Sequence, residues 1–151
     1  MTNKEIILLD LLRCNIVGGT DTAVSHSNLD WLSIYSIALR QGISAILLDA
    51  IGLLPSEMRP PKPMLLQWIG QATMMERMYA KYREKIASLA ELYGQHDIKM
   101  LLLKGYGCSL CYTKPEHRPT GDIDVYLFGK QNEADDLLSL IHISEPTRRR
   151  G

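Results

Sequence analysis

Apolar residues recur with two different periods along this chain, and the change of period divides it. From Lys4 to Cys14 the apolar positions 6, 7, 8, 9, 11 and 12 predict a short buried helix. Asn15 to His26 is rich in Gly, Thr and Ser and predicts a loop. Ser27-Asn28-Leu29-Asp30 has the spacing of a helix start, with Asp where Glu or Gln is usual; the helix should run to about Arg40, with Gly42 just past its end. Ile43 to Ile51 predicts the next helix, closed by Gly52, and the prolines from Pro55 to Pro63 predict a connector. The strongest signal follows. Leu65, Trp68, Ala72, Met75, Tyr79, Tyr82, Ile86, Leu89 and Tyr93 alternate spacings of three and four, a heptad seam that predicts one helix from about Met64 to Tyr93, ended by Gly94. Such a helix spans roughly 45 Å. Its seam needs cover, expected from the N-terminal helices of the same chain.

After Gly94 the period shortens. Ile98 to Leu103 predicts a buried strand ended by Lys104-Gly105, and Tyr106 to Tyr112 a short helix. Lys114 to Gly121 is a polar loop with two prolines. Asp122 to Phe128 predicts a second strand, ended by Gly129, and Gln131 to Leu137 begins another helix. The order is several helices, then β-α-β-α. A helix between two strands suits a crossover unit, although sequence alone does not fix strand direction.

Composition narrows the class. The 151 residues suit one domain and can bury a core. Lys plus Arg equals Asp plus Glu, 17 of each, so charge gives no indication of a nucleic-acid partner or an acidic membrane surface. The start is too polar and too acidic for a signal peptide, and the apolar runs fall short of a membrane span. No membrane partner is therefore expected. Three cysteines, an odd number in a chain of this size, suit reduced thiols in a cytoplasm.

Candidate chemistry concentrates near the second strand. On a strand, residues two apart share a face, so Asp122 and Asp124 should project together while Ile123 and Val125 point into the core. Paired carboxylates can hold a divalent metal against a triphosphate. Exposed strands also carry such pairs simply as solubilising charge. Gly18-Gly19-Thr20 lacks the Gly-Lys-Ser/Thr ending of a phosphate loop and reads as linker. Cys108-Ser109-Leu110-Cys111 has the spacing of a redox pair or half a zinc site, with Cys14 or His117 to complete it; without a second pair it reads as two small residues on a packed helix face. The four histidines are scattered, and His117 reads as a solvated loop residue near the acidic pair.

Leu101-Leu102-Leu103-Lys104-Gly105, the short helix after it, Arg118-Pro119-Thr120-Gly121 and Asp122-Ile123-Asp124 together resemble the nucleotidyltransferase superfamily, nearest its uncharacterised bacterial branch. The resemblance covers about Ile98 to Leu137. It implies an α+β fold, with an N-terminal helical layer (1–96) before a partial nucleotidyltransferase core (97–137). It implies transfer of a nucleoside monophosphate from a nucleoside triphosphate to an unknown acceptor. Asp122 and Asp124 would be the catalytic, metal-holding pair for Mg²⁺, in a site that takes two metals when complete, and Lys104, Gly105 and Arg118 would handle phosphate. The chain departs from the superfamily in having Lys104-Gly105 where Gly-Gly or Gly-Ser is usual. A third carboxylate belongs on a later strand, and Glu133, Asp135 and Asp136 follow the second strand too closely to supply it. The alternative is a non-catalytic interaction module that pairs through the 64–93 helix.

From Leu138 to Arg148 the chain resembles the conceptual translation of a transposase sequencing adapter. Residues 138–151 are accordingly expected to be an artefactual tail on a fragment, which would bind metal or nucleotide weakly without turnover.

Overall fold

A computed structural model describes residues 3–13, 15 and 29–142 of the chain. The elements are α1 (Asn3–Arg13), α2 (Trp31–Gln41), α3 (Ser44–Leu53), α4 (Lys62–Gln95), β1 (Leu101–Leu102), α5 (Tyr106–Ser109), β2 (Val125–Tyr126) and α6 (Gln131–His142), with single 3₁₀ turns at Ser56–Met58 and Pro115–His117. The fold is α+β, mostly helical with a small sheet. Cys14, Gly18-Gly19-Thr20, His26 and the start expected at Ser27 lie outside the described residues, as does most of the 138–151 tail; α6 runs on into it as far as His142.

Helix ends follow local chemistry. Asp30 is the cap of α2 itself: its carboxylate accepts from the Ser33 amide at 3.2 Å and the Ser33 hydroxyl at 2.7 Å. At the other end Gly42 takes φ +69°, and the Gly42 and Ile43 amides bond back to Leu39 and Ala38, the paired bonds of a Schellman motif. Gly52 does not close α3. The helix continues through it to Leu53, because Ala50, Ile51 and Leu54 are buried around it and outweigh the roughly 1 kcal/mol that a helical glycine costs. Gly94 likewise lies inside α4, and the chain reverses instead at Asp97, with φ +57°.

The long helix is the spine of the molecule. Its 34 residues span about 51 Å, with Pro63 in the first turn, where the missing amide is no loss. All nine seam residues are buried or half-buried. Near one end Trp68 closes the core of α1, α2 and α3: its indole donates to the Ser44 carbonyl at 2.7 Å and meets the rings of Trp31 and Tyr35 edge-on. Near the other end Tyr93 packs with Ile98, Leu127 and Ala134 in a second, smaller core. Tyr79 and Tyr82, between the two, belong to neither cluster. The seam that an interaction module would offer to a partner is therefore filled from within the chain.

The two strands are antiparallel, with Leu101 opposite Tyr126 and Leu102 opposite Val125, so no parallel crossover is formed. The segment between them packs on α4 and bonds to Asp49 of α3 through Lys114 and His117 before it returns antiparallel to β1. Both strands are shorter than their sequence patterns. Two-residue strands leave Leu101, Leu103, Tyr126 and Phe128 exposed, so the strand expected to be buried is open on one side.

Candidate functional site

Tyr79 and Tyr82 receive the segment that leaves β1. The ladder runs one bond past the strands, with the Leu103 amide donating to the Asp124 carbonyl at 3.0 Å. The chain then turns at Gly105, with φ +45° and ψ −100°, a backbone that side-chain-bearing residues rarely adopt. Three groups close on this turn. Arg118 donates through Nη1 to the Gly105 carbonyl at 2.9 Å, and Tyr82 donates its hydroxyl to the Asp122 carbonyl at 3.0 Å. A Cβ on Gly105 would stand 3.2 Å from the Tyr82 hydroxyl oxygen and 3.5 Å from that carbonyl. Lys104 extends outward, its Nζ 3.5 Å from Asp124 Oδ2.

All five residues that the sequence singles out, Lys104, Gly105, Arg118, Asp122 and Asp124, thus gather around one turn. The acidic pair lies on the extended approach to β2 rather than inside it. Asp122 is exposed, and the side chains of Asp124 and Lys104 are 39% and 73% exposed. The Tyr82 hydroxyl is held above its ordinary pKa, first by burial, then by the negative charge of Asp124 and, less strongly, of Asp122, with Arg118 opposing. Both carboxylates therefore act on one phenol.

Magnesium, which the resemblance implies, would meet Asp122 and Asp124 here. Two accessible carboxylates suit a hard cation that completes its shell with water and substrate phosphate. Asp124 already faces one cation, the Lys104 ammonium. No third acid joins them: among the described residues no group of three or more His, Cys, Asp or Glu is arranged to hold a metal. Asp135 instead raises the pKa of Tyr93, after burial, and Tyr93 lies about 16 Å along α4 from Tyr82.

Residues 27–140, well over half the chain, match the protein family described as uncharacterised nucleotidyltransferase. The chain belongs to this family. No curated protein matches it, and no solved structure does. No helix among the described residues is long and apolar enough to cross a membrane.

In this nucleotidyltransferase-family chain the loop before the acidic pair differs from its sequence reading. His117 is not solvated. It is 3% exposed, with Nδ1 2.6 Å from Asp49 Oδ2 on α3 and Nε2 3.0 Å from Glu76 Oε1 on α4. Cys108 and Cys111 are free and exposed rather than packed. The residue that α5 buries is Ser109, whose hydroxyl pairs with that of Tyr79 at 2.8 Å and donates to the Tyr106 carbonyl at 2.6 Å. Sequence reasoning missed Tyr79, Tyr82, Ser109, Asp49 and Glu76. A seam tyrosine, unlike phenylalanine, brings a hydroxyl that must find a partner, and that was the available signal.

Proposed function

We propose that this chain binds a magnesium–nucleoside triphosphate at the Gly105 turn, as the donor half of a nucleotidyltransferase site. The observation that carries the reading is the convergence of Lys104, Gly105, Arg118, Asp122 and Asp124, from three separate segments, on one glycine turn. Asp122 and Asp124 hold the cation. When bound, magnesium supplies charge that offsets the negative charge of the phosphates and orients them. Lys104, exposed at the end of a long stem, exchanges Asp124 for a phosphate oxygen as the nucleotide arrives. Arg118 presents a planar guanidinium whose remaining N–H groups suit two phosphate oxygens. Gly105, lacking a side chain, lets backbone come close to phosphate. Tyr82 keeps its proton and so holds the Asp122 backbone in place.

The acceptor is a nucleophile whose chemistry the site leaves open. With two acids at the site among the described residues, this chain binds nucleotide without turning it over. The test is thermal protection by ATP with and without magnesium. Magnesium-dependent protection in the wild type, lost in Asp122→Ala and in Asp124→Ala, supports the reading. Protection that survives both substitutions, or none in the wild type, refutes it. Release of pyrophosphate by the purified chain would refute the absence of turnover.

A further inference from the structure

Arg118 sits on a loop with little apolar support. No residue from 114 to 121 belongs to either hydrophobic cluster. Clefts flank the loop. One of about 210 Å³ is lined by Met75 and Met78 of α4, Leu39 and Gly42, and by Arg118 and Pro119 themselves. Another of about 320 Å³ lies between α3 and α4 on the side of Lys114 and His117. His117 lines the second of these, almost wholly buried, with a different helix bonded to each ring nitrogen. Lys114 holds the other Asp49 oxygen.

We propose that His117 is a positioning residue for the nucleotide site: its imidazole, clamped between Asp49 and Glu76, holds Arg118 against the Gly105 turn. This rests on the reading of Arg118 as a phosphate ligand. The two bonds engage opposite nitrogens of one ring, so the imidazole cannot turn without losing both. The Lys114 ammonium, on the remaining Asp49 oxygen, fixes the carboxylate that the ring meets. Arg59, which lines the same cleft, spends its guanidinium on the Leu54 and Gly52 carbonyls. The clamp links α3 and α4 to the residue immediately before Arg118. It thereby sets where the guanidinium can reach.

The loop reports its own closure, because the His117 and Arg118 amides bond to Lys114 and Pro115 within the 3₁₀ turn. Hydrogen exchange at these two amides should be measured in the wild type, His117→Phe, Glu76→Ala and Glu76→Gln. Glu76→Ala covers the case in which His117→Phe fails to fold, since Glu76 is 45% exposed. Exchange should quicken about 10-fold or more in His117→Phe and Glu76→Ala, with α4 amides unchanged, and remain near wild type in Glu76→Gln, whose amide oxygen still accepts. The magnesium–ATP Kd should weaken by the reciprocal of the remaining closed fraction. A purely structural tie would lower Tm and leave Kd alone, which overturns the positioning role. Wild-type exchange in both disruptive variants overturns the clamp. Quickened exchange in a protein whose wild type binds no nucleotide overturns the phosphate reading and leaves the clamp standing.

Discussion

Gly105→Ala measures how much the candidate site depends on its turn. Two costs apply. The first is backbone strain: φ +45° with ψ −100° lies in a region where a non-glycine residue costs of order 1–3 kcal/mol. The second is a collision. The new methyl carbon would stand 3.2 Å from the Tyr82 hydroxyl oxygen, so the hydroxyl must move and weaken its 3.0 Å bond to the Asp122 carbonyl, a loss of about 0.5–1.5 kcal/mol. Together these give roughly 1.5–4.5 kcal/mol, a large share of the 5–15 kcal/mol typical of a domain, and a Tm lowered by roughly 3–18 °C. Denaturant unfolding of a two-by-two set separates the terms: wild type, Gly105→Ala, Tyr82→Phe and the double variant. In the Tyr82→Phe background the alanine should cost less by about the hydroxyl term, leaving only strain. Magnesium–ATP protection should fall in every variant carrying the alanine. A cost below about 0.5 kcal/mol for Gly105→Ala, or an equal cost in both backgrounds, would refute the geometry given for the turn.

Lys104→Ala should leave stability within about 0.5 kcal/mol, because the exposed Lys104–Asp124 pair is worth little, yet it should weaken magnesium–ATP binding; unchanged affinity in a calorimetric titration would remove Lys104 from the site. Ser109→Ala strands the buried Tyr79 hydroxyl and should cost about 1–3 kcal/mol by chemical denaturation, most of it recovered by adding Tyr79→Phe. Alkali tests the two tyrosines. Burial raises Tyr82 and Tyr93 above their ordinary value of about 10, so the folded chain binds more protons there than the unfolded chain. Stability should hold below about pH 10 and fall as the pH rises through the folded values; a fall of the same size in Tyr82→Phe plus Tyr93→Phe would assign it elsewhere.

Legibility in the sequence followed how local each determinant is. The seam from Leu65 to Tyr93 was readable because burial on one helix repeats with a fixed period, and all nine positions are at least half-buried. The Gly42 cap was readable because its chemistry involves only neighbouring backbone. Gly52 and Gly94 misled as helix ends, since a glycine stops a helix only where packing does not carry it onward. Strand direction was unreadable: it depends on where the segment from 103 to 124 docks, and its partners there, Asp49 and Glu76 for His117, Tyr79 for Ser109 and Tyr82 for Asp122, are distant in sequence. The five site residues were found through a motif, but their support was not. Tyr82 looked like core because its ring is buried, and only the fold reveals that its hydroxyl lies beside Asp122.

Manganese in place of magnesium locates the cation directly, because a bound paramagnetic ion broadens nearby amide resonances. With increasing manganese the amides of Gly105, Asp122, Ile123 and Asp124 should broaden first, and the effect should vanish in the Asp122→Asn, Asp124→Asn double variant. Broadening centred instead on Asp49 and Glu76, the acids on either side of His117, or persisting without the two carboxylates, would contradict the account.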